Sequence, residues 1–143
     1  GCKQNEGLPP DKSVGEIIGF NYTEEGIQNF FVDEAWGANI SPFGGGGSVC
    51  CLLYPRTWHP GLTVNIKWKR SDGYEADGKT TKMVWREKVI PIPQYQGNGE
   101  VYVLFFKDDR VEVHISTKGI ANPDFPGNPG YPVNPAHSRS KLP

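Results

Sequence analysis

Apolar residues in this chain fall into short stretches separated by turn residues, a pattern that is typical of β-strands. Residues 17–22 and 27–32 are two such stretches, and residues 24–26, Glu-Glu-Gly, stand between them. We therefore predict a β-hairpin in which these two strands pair.

The middle of the chain predicts a buried strand that follows a flexible loop. Residues 41–47 end in four consecutive glycines, which leave the backbone many accessible conformations. Residues 48–54 then form an almost continuous apolar run, which is typical of a strand buried on both faces. We expect this strand to lie in the centre of its sheet.

Further strands are predicted in the second half of the chain. Residues 62–69 alternate strictly, with apolar residues at even positions, which indicates a half-buried strand. Residues 82–90 predict another strand, and two prolines end it because proline cannot donate to a sheet ladder. Residues 100–106 and 110–116 predict a hairpin.

About seven strands at this spacing predict an all-β fold, an antiparallel β-sandwich. We divide the chain into an N-terminal tether (1–13), a β-sandwich domain (14–119) and an extended Pro/Gly-rich arm (120–143). The prolines of the arm exclude a helix. We expect the arm either to be laid over the sandwich by Phe125 and Tyr131 or to be mobile.

The composition fits one globular domain. Hydrophobic residues make up 36% of the 143 residues, and Gly 18 with Pro 13 disfavours helices. Lys+Arg 15 against Asp+Glu 16 leaves a net charge of -1, so no overall field attracts nucleic acid or an anionic membrane. We expect no nucleic acid partner, and no apolar run is long enough for a transmembrane helix.

The cysteines suggest two different roles. Cys2 follows Gly1 and precedes a polar stretch, as after removal of a bacterial lipoprotein signal peptide, when the thiol is lipidated; a cloning scar is the alternative. Cys50 and Cys51 are adjacent, and consecutive side chains of a strand point to opposite faces. We expect buried structural thiols there, with an unusual vicinal disulfide as the alternative.

Sequence motifs of catalysis or metal binding do not occur. The glycine run precedes a predicted strand, which disfavours a phosphate-binding loop because such a loop needs a helix N-terminus. His59, His114 and His137 lack the spacing of metal ligands, so we predict neither metal nor cofactor. The enzymatic alternative is a Cys50 or Cys51 nucleophile with His59 or His114 as its base.

A loop at residues 55–61, Pro-Arg-Thr-Trp-His-Pro-Gly, is the strongest interface candidate. Trp and Arg are frequent at the energetically important positions of protein interfaces. The alternative for its Trp is packing beneath its own loop. Candidate partner-binding residues lie in this loop, in the neighbouring glycine run and in the arm: Arg56, Trp58, His59, Gly45, Gly46, Phe125 and Tyr131.

Residues 44–62, with the glycine run, paired cysteines and Pro-Arg-x-Trp-x-Pro-Gly loop, resemble a family of small bacterial lipoproteins of unknown function. Residues 122–126, Asn-Pro-Asp-Phe-Pro, extend the resemblance, which covers most of residues 15–130. Members of that family resemble products encoded beside type VI secretion lipase effectors, where a periplasmic lipoprotein is the immunity protein for a phospholipase toxin. The resemblance implies binding and offers no catalytic residues.

From this resemblance we expect a periplasmic lipoprotein of a Gram-negative bacterium that binds and inhibits a secreted phospholipase effector and is not an enzyme. Its contact with the membrane would be the lipid on Cys2 alone. The alternative is a structural or assembly lipoprotein of the cell envelope with no toxin partner. An enzyme that uses Cys50 or Cys51 is the third possibility.

Overall fold

Eight strands make up the fold in the computed structural model, which describes residues 7–135. The strands are β1 Lys12–Asn21, β2 Ile27–Val32, β3 Ala35–Trp36, β4 Gly45–Pro55, β5 Thr63–Tyr74, β6 Thr81–Pro91, β7 Glu100–Phe106 and β8 Arg110–Ser116. Sheet A has the order β4-β1-β7-β8, and sheet B has the order β3-β2-β5-β6. Neighbours are antiparallel except β1 and β7, which are parallel. The predicted all-β sandwich is confirmed, with eight strands instead of about seven.

The core lies between the two sheets because alternate side chains of each strand point inward. In β5, Val64, Ile66 and Trp68 are buried, as the strict alternation predicts. The predicted hairpin of β7 and β8 is also confirmed, with Lys107–Asp109 as a short 3-10 turn between the strands.

The predicted hairpin of β1 and β2 is wrong, because the two strands belong to different sheets. The link between them is organised by Asn21, which is fully buried. Its side-chain oxygen accepts hydrogen bonds from the N–H and the hydroxyl of Thr23, and its amide donates to the carbonyl oxygens of Glu25 and Ser41. These side-chain bonds to the backbone turn the chain from sheet A to sheet B.

β4 is an edge strand of sheet A, and the prediction of a central strand is wrong. Leu52 and Tyr54 face the core, but Leu53 on the other face is 53% exposed. Two bulges interrupt the pairing of β4 with β1, since Cys50 and Cys51 oppose one residue of β1 and two glycines oppose another. Bulges at a sheet edge discourage pairing with a further strand.

Three of the four glycines belong to β4, so the predicted loop of residues 41–47 is correct only as far as Gly44. Gly45 has a φ of 145°, and a Cβ there would lie 2.5 Å from the carbonyl oxygen of Gly19. Glycine at this position lets the backbones of β4 and β1 approach closely.

β7 is the strand that is buried on both faces. Val103 and Phe105 face the core between the sheets, whereas Tyr102 and Leu104 lie on the outer face of sheet A. The C-terminal arm covers this outer face, with Phe125 buried against Tyr102 at 4.9 Å between ring centroids. Of the two predicted states of the arm, the structure shows the one laid over the sandwich.

The arm is less extended than predicted. The N–H groups of Asn122, Phe125 and Asn128 each donate to the carbonyl oxygen three residues earlier, so residues 119–128 form successive turns. The Tyr22 hydroxyl then donates to the carbonyl oxygen of Gly130 at 2.6 Å. Prolines exclude a helix here but are compatible with turns.

Candidate protein-binding surface

The loop between β4 and β5 holds three of the predicted residues. The Trp58 indole N–H donates to the carbonyl oxygen of Ile92 at 2.7 Å, and its half-buried ring packs against the core. Arg56 and His59 are exposed, and the Arg56 guanidinium lies 3.4 Å from the carbonyl oxygen of Lys12. Of the two alternatives for Trp58, the structure shows packing beneath the loop. Contact of Arg56, Trp58 and His59 with a partner stays a prediction.

The glycine run is not next to this loop, contrary to prediction. Pro55 pairs with Lys12 at one end of β4, and Gly45 pairs with Phe20 at the other. The strand has 11 residues, which at roughly 3.3 Å per residue separates its ends by about 33 Å. The loop and the glycine run are therefore separate surfaces.

The two candidates in the arm differ in exposure. Phe125 is 1% exposed in the cluster over sheet A, whereas Tyr131 is 62% exposed. The Tyr131 ring meets Phe20 edge-on at 5.8 Å between centroids, near the glycine end of β4. The structure thus groups Gly45, Gly46 and Tyr131 at one end of sheet A, away from Arg56 and the other loop residues.

Large exposed apolar side chains gather instead on the outer face of sheet B, which the sequence patterns did not single out. Trp36 is 47% exposed, Trp85 46% and Val89 66%. Cross-strand register brings residues from β2, β3, β5 and β6 together there. We define the Trp-Lys face by six of these residues: Phe31, Trp36, Lys67, Lys69, Trp85 and Val89.

The centre of the Trp-Lys face is a cation-π cluster. The Nζ of Lys67 lies 5.1 Å and the Nζ of Lys69 5.8 Å from the ring centroid of Trp85. Lys69 is the direct cross-strand partner of Trp85, and Lys67 lies two residues before Lys69 in β5. Such contacts hold long lysine side chains over the indole ring.

A groove of about 720 Å³ adjoins this cluster. Its walls include Ile27, Pro42, Tyr74 and Met83, and Met83 belongs to the same strand as Trp85. Glu24 and neighbouring polar groups line the rest of it. Its volume lies in the range of ligand-binding clefts.

A second cleft, of about 520 Å³, lies beside the ion pair of Arg70 and Asp109. Arg70 binds both Asp109 and Glu25 there, and hydrogen bonding to Arg70 lowers the pKa of Asp109. Burial, with the nearby Glu112 carboxylate, raises the pKa of Tyr22 at the rim to about 12. This cleft is therefore built mainly around a structural ion pair.

Cys50 and Cys51 are joined by a disulfide bond. The expectation of buried free thiols is wrong, and the vicinal alternative describes the structure. Cys50 is exposed and Cys51 half-buried. Cys2 and His137 lie outside the described residues.

The described residues contain neither a membrane-spanning helix nor a cluster of metal ligands. In residues 7–135, no helix is long and apolar enough to span a membrane. Nor does that part of the chain bring three or more His, Cys, Asp or Glu side chains into an arrangement that could hold a metal ion.

A protein family described as "Protein of unknown function (DUF3304)" matches residues 20–113. The chain belongs to this family. The resemblance to an uncharacterised family is confirmed at that level. No curated protein and no solved structure matches the chain.

The DUF3304 range runs from the end of β1 into β8. It includes the loop with Arg56 and Trp58 as well as the Trp-Lys face. Phe125 and Tyr131 lie beyond it. Both candidate surfaces of the sandwich therefore belong to the part of the chain that defines its family.

Proposed function

We propose that this DUF3304 protein is a periplasmic immunity lipoprotein that binds and inhibits a secreted phospholipase effector. The observation that carries the binding role is the Trp-Lys face, where Trp36, Trp85 and Val89 are exposed together on a four-stranded sheet. Aromatic residues contribute much of the affinity of protein interfaces. The resemblance of residues 44–62 to the lipoprotein family is the reason for proposing a phospholipase effector as the partner.

A sheet face is suited to inhibition by occlusion. Its backbone is already ordered by the ladder from β2 to β6, so association costs little backbone entropy. A rigid face seated over an active-site cleft excludes substrate without chemistry of its own. The exposed Arg56 and His59 would then extend the contact or lie outside it.

The Cys50–Cys51 disulfide supports both the compartment and the non-catalytic role. Disulfides persist mainly in oxidising compartments such as the periplasm. A cysteine nucleophile needs a thiolate, and both sulfurs are engaged in the bond. Lipidation of Cys2 would hold the protein at the membrane facing that compartment.

The proposal predicts that a lipase-type effector is encoded beside the gene for this chain, and the test uses that protein. The purified effector hydrolyses fluorescent phospholipid, and increasing amounts of the full chain are added. We expect inhibition that saturates at one chain per effector, and protection of cells that carry the effector in the periplasm. Absence of binding would overturn the proposal and favour the structural lipoprotein, and binding that leaves hydrolysis unchanged would overturn the inhibitory role.

A further inference from the structure

We infer that the partner places an acidic side chain between Lys67 and Lys69, above the ring of Trp85. This inference rests on the proposed function and names the chemistry of the surface that the Trp-Lys face recognises: a carboxylate flanked by large apolar side chains.

The first support is the charge of the two lysines. Within residues 7–135, neither ammonium forms an ion pair with a carboxylate, and both point to the same indole ring. Glu87 is the cross-strand neighbour of Lys67, but its carboxylate accepts a hydrogen bond from the Asn65 amide at 2.7 Å. Both ammoniums thus lie near one indole ring, and within residues 7–135 neither forms an ion pair.

The second support is the position of these lysines. They stand two residues apart on one face of β5, about 7 Å along the strand, which is the spacing at which both ammoniums can reach one carboxylate. An incoming carboxylate would form charge-assisted hydrogen bonds and relieve the repulsion between the lysines. The indole below keeps water from one side of the site, which strengthens such bonds.

The third support is the apolar border of the cluster. Phe31 is the cross-strand partner of both Trp36 and Lys67, so aromatic rings flank the lysines on the side of β2 and β3. Val89 lies beyond Glu87 on β6. The complementary surface therefore carries apolar side chains on either side of its acidic group.

A protein surface fits these features better than an anionic bilayer. The adjoining groove of about 720 Å³ is lined by Glu24 and Glu25, and although Glu25 pairs with Arg70, the acidic Glu24 disfavours anionic headgroups. A flat bilayer also cannot fill such a groove, whereas a protruding loop can. With a net charge of -1, the chain gains no general attraction to anionic lipid.

The experiment reverses the two charges and measures the dissociation constant for the neighbouring effector. In the full chain, Lys67→Glu with Lys69→Glu is compared with a matched pair at the two ends of β8, Lys107→Glu in the turn before it and Lys118→Glu in the loop after it, which changes the net charge equally. We expect the first pair to weaken binding roughly tenfold or more and the second less than about threefold. Binding by the wild type should weaken with salt, and this dependence should diminish in the first pair.

A milder variant guards against misfolding. Lys67→Gln with Lys69→Gln removes both positive charges without introducing negative ones, so its melting temperature should match the wild type while its affinity falls. If the wild type binds well and both charge-reversed pairs weaken binding equally, this inference is overturned and the proposed function stands. A wild-type chain that does not bind the effector would overturn the proposed function first.

A last experiment tests an anionic lipid surface with phosphatidylglycerol vesicles. Unlipidated chain, made as Cys2→Ser, is sedimented with vesicles in place of the effector. We expect little binding and no difference between the reversed pairs. Strong binding that disappears in Lys67→Glu with Lys69→Glu would overturn the protein partner in favour of an anionic lipid surface.

Discussion

Arg70 of β5 and Asp109 of the turn before β8 join the two sheets through a pair of parallel hydrogen bonds. Arg70 Nε donates to Oδ1 at 2.6 Å and Nη2 donates to Oδ2 at 3.0 Å. Arg86 Nε donates to the same carboxylate at 3.1 Å. Because Arg70 continues the inward face of β5 after Trp68, its charge needs a partner at this depth.

Asp109→Asn should therefore destabilise the fold. It leaves the Arg70 guanidinium without its main counter-ion, a loss of about 3 kcal/mol in the free energy of unfolding at pH 7. Arg70 lowers the pKa of Asp109 in the folded protein, so the stabilisation is fully present above the unfolded pKa of about 3.9 and is lost as the pH falls through the lower folded value. Urea unfolding at pH 7 and at pH 2 should show the difference between wild type and variant shrinking in acid.

Asp77→Asn is the control for this prediction. Hydrogen bonds from Thr80 and Lys79 lower the pKa of Asp77 to about 2, but this carboxylate stands in the turn between β5 and β6 and joins no sheets. We expect a much smaller change in stability. An equal loss in the two variants would mean that the inter-sheet pair is not the source of the effect.

The second prediction concerns the arm. Phe125→Ala should lower the free energy of unfolding by about 3 kcal/mol, because the ring is buried against Tyr102 and its removal leaves a cavity. Tyr131→Ala is the matched control and should change it little, since that ring is 62% exposed. Chemical denaturation of both variants distinguishes a structural arm from one that only touches a partner.

Sequence patterns predicted the fold where neighbouring positions carry the information. The alternation of residues 62–69 placed Val64, Ile66 and Trp68 in the core correctly. The apolar runs 48–54 and 101–105 look alike in sequence. Within residues 7–135, however, only the second is covered on both faces, because this part of the arm packs over β7 and not over β4. What covers a sheet is a tertiary property, which local periodicity does not contain.

The Trp-Lys face could not be predicted from the sequence for a related reason. Alternation places Lys67 and Lys69 at solvent-facing positions, but only the register of β5 with β6 brings Trp85 beside them. Arg70 did carry a signal, since it occupies an even position of the alternating strand where every earlier even residue is apolar. A charged residue at such a position predicts a buried ion pair, although its partner cannot be read from the pattern.

The third prediction concerns Cys50 and Cys51. Native protein treated with iodoacetamide should gain no mass at either residue, because both sulfurs are in the disulfide. After mild reduction the exposed Cys50 should be alkylated while the fold persists, since β4 stays paired with β1. Mass spectrometry of tryptic peptides measures the alkylation of both cysteines before and after reduction. Alkylation without reductant would show free thiols and contradict the bond.

The fourth prediction concerns Cys2 as the lipidated residue. When the chain is expressed with its native signal peptide, Cys2→Ser should move the protein from the membrane fraction to the soluble periplasm, because the variant lacks the thiol that would be lipidated. The several acyl chains of a lipoprotein hold it at the membrane far more firmly than one chain does. Fractionation followed by immunoblotting measures the change, with Cys50→Ser in combination with Cys51→Ser as the control that should stay in the membrane. Unchanged fractionation of Cys2→Ser would refute the anchor.

The last prediction separates stability from binding in the loop between β4 and β5. Trp58→Ala should lower the free energy of unfolding by about 3 kcal/mol, since it removes a half-buried ring and its hydrogen bond to Ile92. Arg56→Ala should leave the melting temperature unchanged, because that guanidinium is exposed and, within residues 7–135, donates a single long hydrogen bond.

The affinity of both loop variants for the effector decides whether the interface reaches this loop. A true hot-spot residue costs about 2 kcal/mol or more when truncated, some thirtyfold in affinity. If the Trp-Lys face is the main contact, Arg56→Ala and the folded fraction of Trp58→Ala should bind the effector almost as the wild type does. Weakened binding by Arg56→Ala at an unchanged melting temperature would instead place the effector over this loop, at the end of β4 opposite the glycine run.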